Sequence, residues 1–359
     1  MKKNIYKLWV LLLLPLFAFA HNHPIGKYKK SKVVERSYQT SGIQTLTISS
    51  LYGNIHITHR NDGRVTIKAT VTVDGNDEEA VEKRLKTIEV NTGITGHRIF
   101  AETIIPEEEW SFSGWLFGKS EKVNFKINYE IQMPVSLDLD IDHEYGNFFL
   151  DELTGKLSLN LDYGSFDIGK LEGENNRIDT DYVNDSHIGF INSGKINTDY
   201  GDIHIDSAYR LEMDCDYTDI EIDDIRHLDY DCDYGSFKVN NSKYISGKGS
   251  YQTRYFERVN YLKIDAGYGS LTIKDPLPDF ELIEVDGDYL NINFDNTAGV
   301  PYRIFIRADY LSLKHKGLSV IEKQKDMSDI ELEAYYRNPG AGSEVKFRLD
   351  YGSLDIINP

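Results

Sequence analysis

One phrase recurs along this chain, and its clearest copy is Leu157 to Ile168: Leu-Ser-Leu-Asn-Leu-Asp-Tyr-Gly-Ser-Phe-Asp-Ile. An alternating run reaches Asp-Tyr-Gly, turns, and alternates again. The tyrosine returns at 145, 163, 182, 200, 217, 234, 251, 268, 289 and 310, at spacings of 17 to 21 residues, with further copies at Tyr52 and Tyr351. A short, fixed period of strand-rich units is the signature of coils that stack on their neighbours.

Aligned on the tyrosine, the copies resolve into columns. Four residues before it stand Ile141, Leu159, Ile178, Ile196, Met213 and Ile264; two before it stand Leu161, Thr180, Thr198, Cys215, Cys232 and Ala266. Polar residues separate them, so these columns and the tyrosine are expected on one inward face of a strand. Three and five residues after it stand Phe166/Ile168, Ile203/Ile205, Ile220/Ile222, Phe237/Val239 and Leu271/Ile273. The step from zero to plus three is odd, so the inward phase slips by one residue. The Gly-Ser pair is expected to absorb that slip as a corner, because glycine tolerates positive φ. The expected fold is therefore all-β: a right-handed parallel β-helix (solenoid) with 17–21-residue coils, stacked ~4.8 Å apart. An antiparallel sandwich is the alternative, but it would not normally keep one motif at a 17-residue spacing through five consecutive copies.

The chain opens with Lys2, Lys3 and Lys7, an apolar run from Leu8 to Phe19, and Ala18-Phe19-Ala20. This pattern predicts a secretory signal peptide over 1–20, and the run is short of the ~20 residues that span a bilayer. The mature chain, cleaved near Ala20, is then expected outside the cytoplasm with no transmembrane segment. Formal charge is −18, or −21 once the three leader lysines are gone. Such a balance excludes nucleic acid as a partner, which needs clustered Lys and Arg. Residues 21–42 form a polar lead-in. Residues 43–136 hold the first coil and a small α+β capping insert, with a helix from Asn76 to Ile88 capped by Asn76 and Glu79. Residues 137–318 carry the repeats, and 319–359 an excursion and a terminal coil.

The opening Tyr52-Gly-Asn-Ile-His-Ile57, the insert with Asp77-Glu-Glu-Ala-Val-Glu-Lys-Arg-Leu85, the strand Tyr129-Glu-Ile-Gln-Met-Pro134 and the serial Asp-Tyr-Gly-Ser coils together resemble the bacterial putative-adhesin family of β-strand-repeat proteins, a domain of unknown function. The resemblance covers roughly 40–358. It implies a fold, and it brings no catalytic residues with it.

Chemistry-bearing residues fall into four groups. Aspartates precede the tyrosine at 162, 181, 199, 216, 233, 288, 309 and 350, and a second column stands three before it at 142, 179, 214, 231, 265 and 286. Stacked coils put such charges about 5 Å apart, where repulsion in water is on the order of 1 kcal/mol. A Ca²⁺ ladder on Asp179, Asp181, Asp199, Asp214, Asp216, Asp231 and Asp233 would offset it, carboxylate oxygens being calcium ligands. The alternative is that each aspartate accepts a hydrogen bond from corner backbone. Cys215 and Cys232 share one coil position and lie within disulfide reach across adjacent strands; the alternative is that they are two small buried core residues. Trp110, Phe112, Trp115 and Phe117, on an acidic loop, are the candidate ligand contacts, for a glycan or an envelope protein; the alternative is that they plug an open end of the solenoid. Histidines at 56, 97, 143, 187, 204, 227 and 315 offer no recurrent metal spacing, and Lys248, Arg307 and Arg348 stand isolated in the outward columns. No catalytic motif is present. The chain is expected to be a non-enzymatic scaffold, adhesin-like, with an acidic face and no required cofactor. A carbohydrate-active β-helix enzyme (lyase or glycosidase) and an envelope sensing partner are the alternatives; an enzyme of this shape would need one localised groove of mixed charge.

Overall fold

The computed structural model describes residues 26–106, 123–326 and 328–359. The protein is nearly all β, in one large sheet that is not a closed barrel. Its N-terminal part contains β1 (Tyr28–Gln39), β2 (Thr45–Leu51), β3 (Ile55–His59), β4 (Arg64–Gly75), α1 (Glu78–Thr87), β5 (Glu89–Thr95), β6 (Arg98–Ile104) and β7 (Val123–Met133). The repeats follow as β8 (Asp138–Leu153), β9 (Leu157–Leu171), β10 (Asn176–Val183), β11 (Ser186–Asp233), β12 (Gly235–Lys274) and β13 (Leu282–Asp295). The chain ends with β14 (Tyr302–His315), β15 (Ser319–Asp326), β16 (Asp329–Tyr336) and β17 (Glu344–Ile357).

Successive repeats pair in parallel, like residue on like residue. Ile141 lies opposite Leu159, Leu159 opposite Ile178 and Ile178 opposite Ile196. Both inward columns before the tyrosine and both after it are buried. Their aliphatic and phenylalanine side chains form one continuous core, and removing that apolar surface from water is the main stabilising term. The expected core columns are therefore confirmed.

The tyrosine is not part of that core. Twelve tyrosines, at 52, 145, 163, 182, 200, 217, 234, 251, 268, 289, 310 and 351, have φ between 48° and 60°. The tyrosine itself is thus the corner. A left-handed residue reverses the pleat, so the inward phase runs −4, −2, then +1, +3, +5, and the ring is thrown outward. Val183, Thr218, Gln252 and Leu290, each directly after a tyrosine, are buried accordingly. The left-handed backbone costs roughly 1–2 kcal/mol per L-residue. Stacking of the rings offsets it at about 0.5–1.5 kcal/mol per pair.

Both ends of the stack depart from simple repetition. Residues 28–39, expected as a loose lead-in, form β1, paired antiparallel to β4, which in turn runs antiparallel to β7. The cap of α1 is Asp77 rather than Asn76; its side chain accepts the Ala80 N–H at 2.9 Å. At the other end β17 does not follow β14. It inserts between β13 and β14, parallel to both, with Asp350 opposite Asp288 on one side and Asp309 on the other. β16 then pairs antiparallel with the far edge of β14, and β15 with β16. Antiparallel cover over a terminal strand leaves fewer free ladder groups to template aggregation.

Two inward positions are chemically unusual. Cys215 and Cys232 form a disulfide, with Cα atoms 4.5 Å apart. Arg254 occupies the column filled elsewhere by Phe166 and Phe237, and is 1% exposed. One of its nitrogens donates to the Gly249 carbonyl at 2.6 Å. Its Nε and Nη1 and both polar atoms of the Gln252 amide make no hydrogen bond. Burial pushes the Tyr230 phenol up to about 12, with the Arg254 charge pulling the other way. A buried charge without full pairing is a net cost. Arg254→Met is therefore expected to stabilise the fold by about 1–2 kcal/mol, read as a higher urea midpoint. A lower midpoint would mean that the guanidinium has a compensating partner in solution.

Candidate functional site

The corner tyrosines form one uninterrupted ladder. In spatial order it runs Tyr52, 145, 163, 182, 200, 217, 234, 251, 268, 289, 351 and 310, with centroids 4.4–5.1 Å apart and planes within 7° of parallel. Tyr351 sits between Tyr289 and Tyr310 because β17 inserts there. At the N-terminal end Phe125 closes the row edge-on, and Arg84 lies over Phe125. Every ring from Tyr145 on is between 38% and 62% exposed. Ring faces are used up by neighbouring rings, so what faces solvent is a row of edges and hydroxyls.

Four of these phenols resist ionisation. Burial and the adjacent rings hold Tyr163 and Tyr351 above the ordinary tyrosine value, burial raises Tyr52, and the neighbouring Tyr217 is the main cause for Tyr234. A pKa raised in the fold means stability that is complete below about 10 and is lost as pH rises through the folded values. Phenolate absorbance of the native protein should therefore titrate above its midpoint in concentrated urea, with unfolding on the same alkaline limb. Equal midpoints in both solvents would contradict the ladder.

Beside the rings runs the first aspartate column, in register: Glu144 with Asp162, Asp162 with Asp181, Asp181 with Asp199. Burial, with neighbouring carboxylates, raises the Asp162 and Asp199 carboxyls. Several aspartates hold the next coil. Asp199 accepts the Asp216 N–H at 3.2 Å, and Asp233 accepts the Ser250 N–H at 2.5 Å. Asp179 accepts from Asn197 at 2.6 Å and pairs with Arg177, and Asp231 pairs with Lys248 at 2.6 Å. Asp181, Asp214 and Asp216 are exposed. The seven aspartates singled out for calcium thus lie along two columns. Among the described residues, the group of three whose ligand atoms converge is a different one, His204, Asp206 and Asp223. Trp110, Phe112, Trp115 and Phe117 lie outside the described residues.

A groove of about 800 Å³ is lined by β12, β13, β14 and β17 just before their corner tyrosines, with β15 and β16 along its far side. Insertion of β17 places Arg348 directly opposite Arg307, so these arginines are neighbours, not isolated as the serial reading had them. Each is neutralised: Arg348 by Asp286 and by Glu284, Arg307 by Glu331 at 2.8 Å. The Asp309 carboxyl is held up by a hydrogen bond to Asp329. The groove is therefore of mixed charge, with its cations already paired.

No described helix is long and apolar enough to cross a membrane. No protein-family model matches the chain, and no curated protein matches it. Among solved structures it is similar to a putative adhesin from Bacteroides fragilis (11% identity, 91% of this chain and 97% of that one, TM-score 0.29). It is likewise similar to a putative adhesin from Parabacteroides distasonis (11%, 91% and 97%, 0.26). A putative cell adhesion protein from Clostridium sporogenes is a third (10%, 92% and 100%, 0.19).

Proposed function

We propose that this chain is an exported, non-enzymatic scaffold, adhesin-like, that binds through its tyrosine-and-aspartate face. The coils wind in this reading as a right-handed solenoid. Like-on-like parallel register at a 17–21-residue step supports that, as does the right-handed preference of parallel crossovers. Export rests on the Lys-rich start, the apolar run and Ala18-Phe19-Ala20. One observation carries the binding assignment: twelve rings stack without a gap along a carboxylate column. Centroids 4.4–5.1 Å apart leave no slot for a sugar ring between them. Recognition is then edge-on, through hydroxyls and carboxylates, and suits an extended basic or hydroxyl-rich polymer whose groups repeat along the row.

Binding to an array of glycans and polycationic polymers tests this reading. Wild type is expected to bind in a salt-sensitive way, and the triple variant Asp181→Asn, Asp199→Asn, Asp216→Asn at least about 10-fold more weakly. Equal binding by both removes the face from recognition. A Trp110→Ala, Trp115→Ala variant, run alongside, reports whether the aromatic loop contributes.

The groove is the one observation that favours the enzyme reading. Against it, the cations of the groove are already neutralised, Arg348 by Asp286 and Glu284 and Arg307 by Glu331. The groove suits ligand seating better than catalysis.

A further inference from the structure

On the outer surface, away from the tyrosine ladder, two columns of neighbouring coils bring imidazoles and carboxylates together. His187 lies opposite Asp167 in the parallel register, and its Nδ1 is 3.1 Å from that carboxylate. Its Nε2 is 3.0 Å from Asp206 Oδ1. His204, one coil further on, has its Nε2 3.6 Å from the same Asp206 oxygen and 3.1 Å from Asp223 Oδ2. Asn240 donates to the other Asp223 oxygen at 2.8 Å. Gly189, in the column of Asp206, offers no side chain between Asp206 and His187; a Cβ there would lie 3.8 Å from Asp206 Oδ2.

We propose that His204, Asp206 and Asp223, completed by His187, form a binding site for a divalent transition cation, zinc foremost. Three features carry it. First, the donor atoms of His204, Asp206 and Asp223 all lie within 4.8 Å of one another, and His187 Nε2 adjoins the same Asp206 oxygen. Ligands about 2.0–2.1 Å from a tetrahedral zinc lie about 3.4 Å apart, and three of the six edges, at 3.0, 3.1 and 3.6 Å, bracket that value. Second, the far nitrogen of His187 is held by a carboxylate. In the neutral ring with Nδ1–H donating to Asp167, Nε2 would be the coordinating atom, the arrangement by which an outer carboxylate orients a metal-bound imidazole. Asn240 holds Asp223 in the same manner. Third, both ring nitrogens of His187 face carboxylate oxygens and His204 Nε2 faces two, so each contact is bridged either by a proton or, once that proton is displaced, by a cation. The donor set of two imidazoles and two carboxylates suits zinc better than calcium, which takes oxygen. The four side chains are 40–50% exposed, so the site is open to solvent. Its ligands come from three successive coils, and a bound cation would clamp them together.

The test is calorimetric titration of the full chain with zinc chloride, without an affinity tag and carrying His23→Ala, since His21-Asn22-His23 directly after the predicted cleavage site could chelate metal on its own. The expected result is saturable binding of one zinc per chain and a higher melting temperature. Replacing zinc by cobalt should give the visible absorption of a four-coordinate site. His204→Ala and Asp206→Asn should abolish binding, and Asp167→Asn should weaken it about 10-fold or more. His227→Ala, whose ring partners Asp229 outside the group, should bind as wild type. The substituted side chains are surface groups, and unchanged circular dichroism and zinc-free melting confirm that each variant folds. Absence of saturable binding at millimolar zinc, or equal binding by wild type, His204→Ala and Asp206→Asn, overturns the site. So does a loss in His227→Ala that matches the loss in His204→Ala.

Discussion

Gly164→Ala should destabilise the protein by about 3 kcal/mol or more, a large effect for adding one methyl group. Gly164 follows the corner tyrosine of its coil, at a position where the backbones of stacked coils meet. A Cβ there would lie 1.8 Å from the Gly146 carbonyl oxygen. No side-chain rotation can relieve a clash with a backbone atom, so the two coils must separate or the corner must break. The strain is purely steric, since Gly164 is not among the positive-φ residues. Gly342→Ala is the control: nothing lies within 4 Å of its Cβ position and its φ is not positive, so its urea midpoint should match wild type. Equal midpoints for both variants would mean that coils do not approach closely at the corner.

Cys215→Ala with Cys232→Ala should cost about 3 kcal/mol, nearly all of it through the unfolded chain. The bond closes a loop of 17 residues, and chain entropy for a loop near that length gives about this figure. In the fold little changes, because both positions are inward and small, and alanine fills a similar column elsewhere at Ala266 and Ala308. Wild type in reducing buffer should show the same urea midpoint as the double variant. A variant within a few tenths of a kcal/mol of oxidised wild type would show that the loop is already constrained when the chain unfolds.

Much of this architecture is legible in the chain, because burial in a strand alternates and a repeat presents the alternation many times over. The inward columns at −4, −2, +3 and +5 needed only alignment. The tyrosine is the exception: the same alignment puts its ring in the core and the odd step at the glycine after it, and the structure does neither. The signal that corrects this is present at +1: Val183 and Leu290 replace the glycine there, and an apolar residue at +1 marks that position as inward and the tyrosine as the residue that slips. Local alternation says nothing about which coil stacks on which. The insertion of β17 between β13 and β14 is a non-local choice, and with it went the pairing of Arg307 with Arg348. The histidines illustrate the same point at smaller scale. His187 and His204 are 17 residues apart, which is no metal motif in a helix or a loop. In a chain whose coils repeat every 17 residues it is the spacing of direct neighbours. Cys215 and Cys232, at equal phase 17 residues apart, are neighbours for the same reason and form the disulfide.

The repeated tyrosine is an exposed, stacked corner. Nitration of the native protein with tetranitromethane, read residue by residue by peptide mass spectrometry, tests it most directly. The account predicts modification at corner positions such as Tyr163, Tyr200, Tyr217 and Tyr251, and protection of Tyr129 and Tyr302, which are 0% exposed. Corner tyrosines as protected as Tyr129 and Tyr302 would contradict it, and would return the tyrosine to the core.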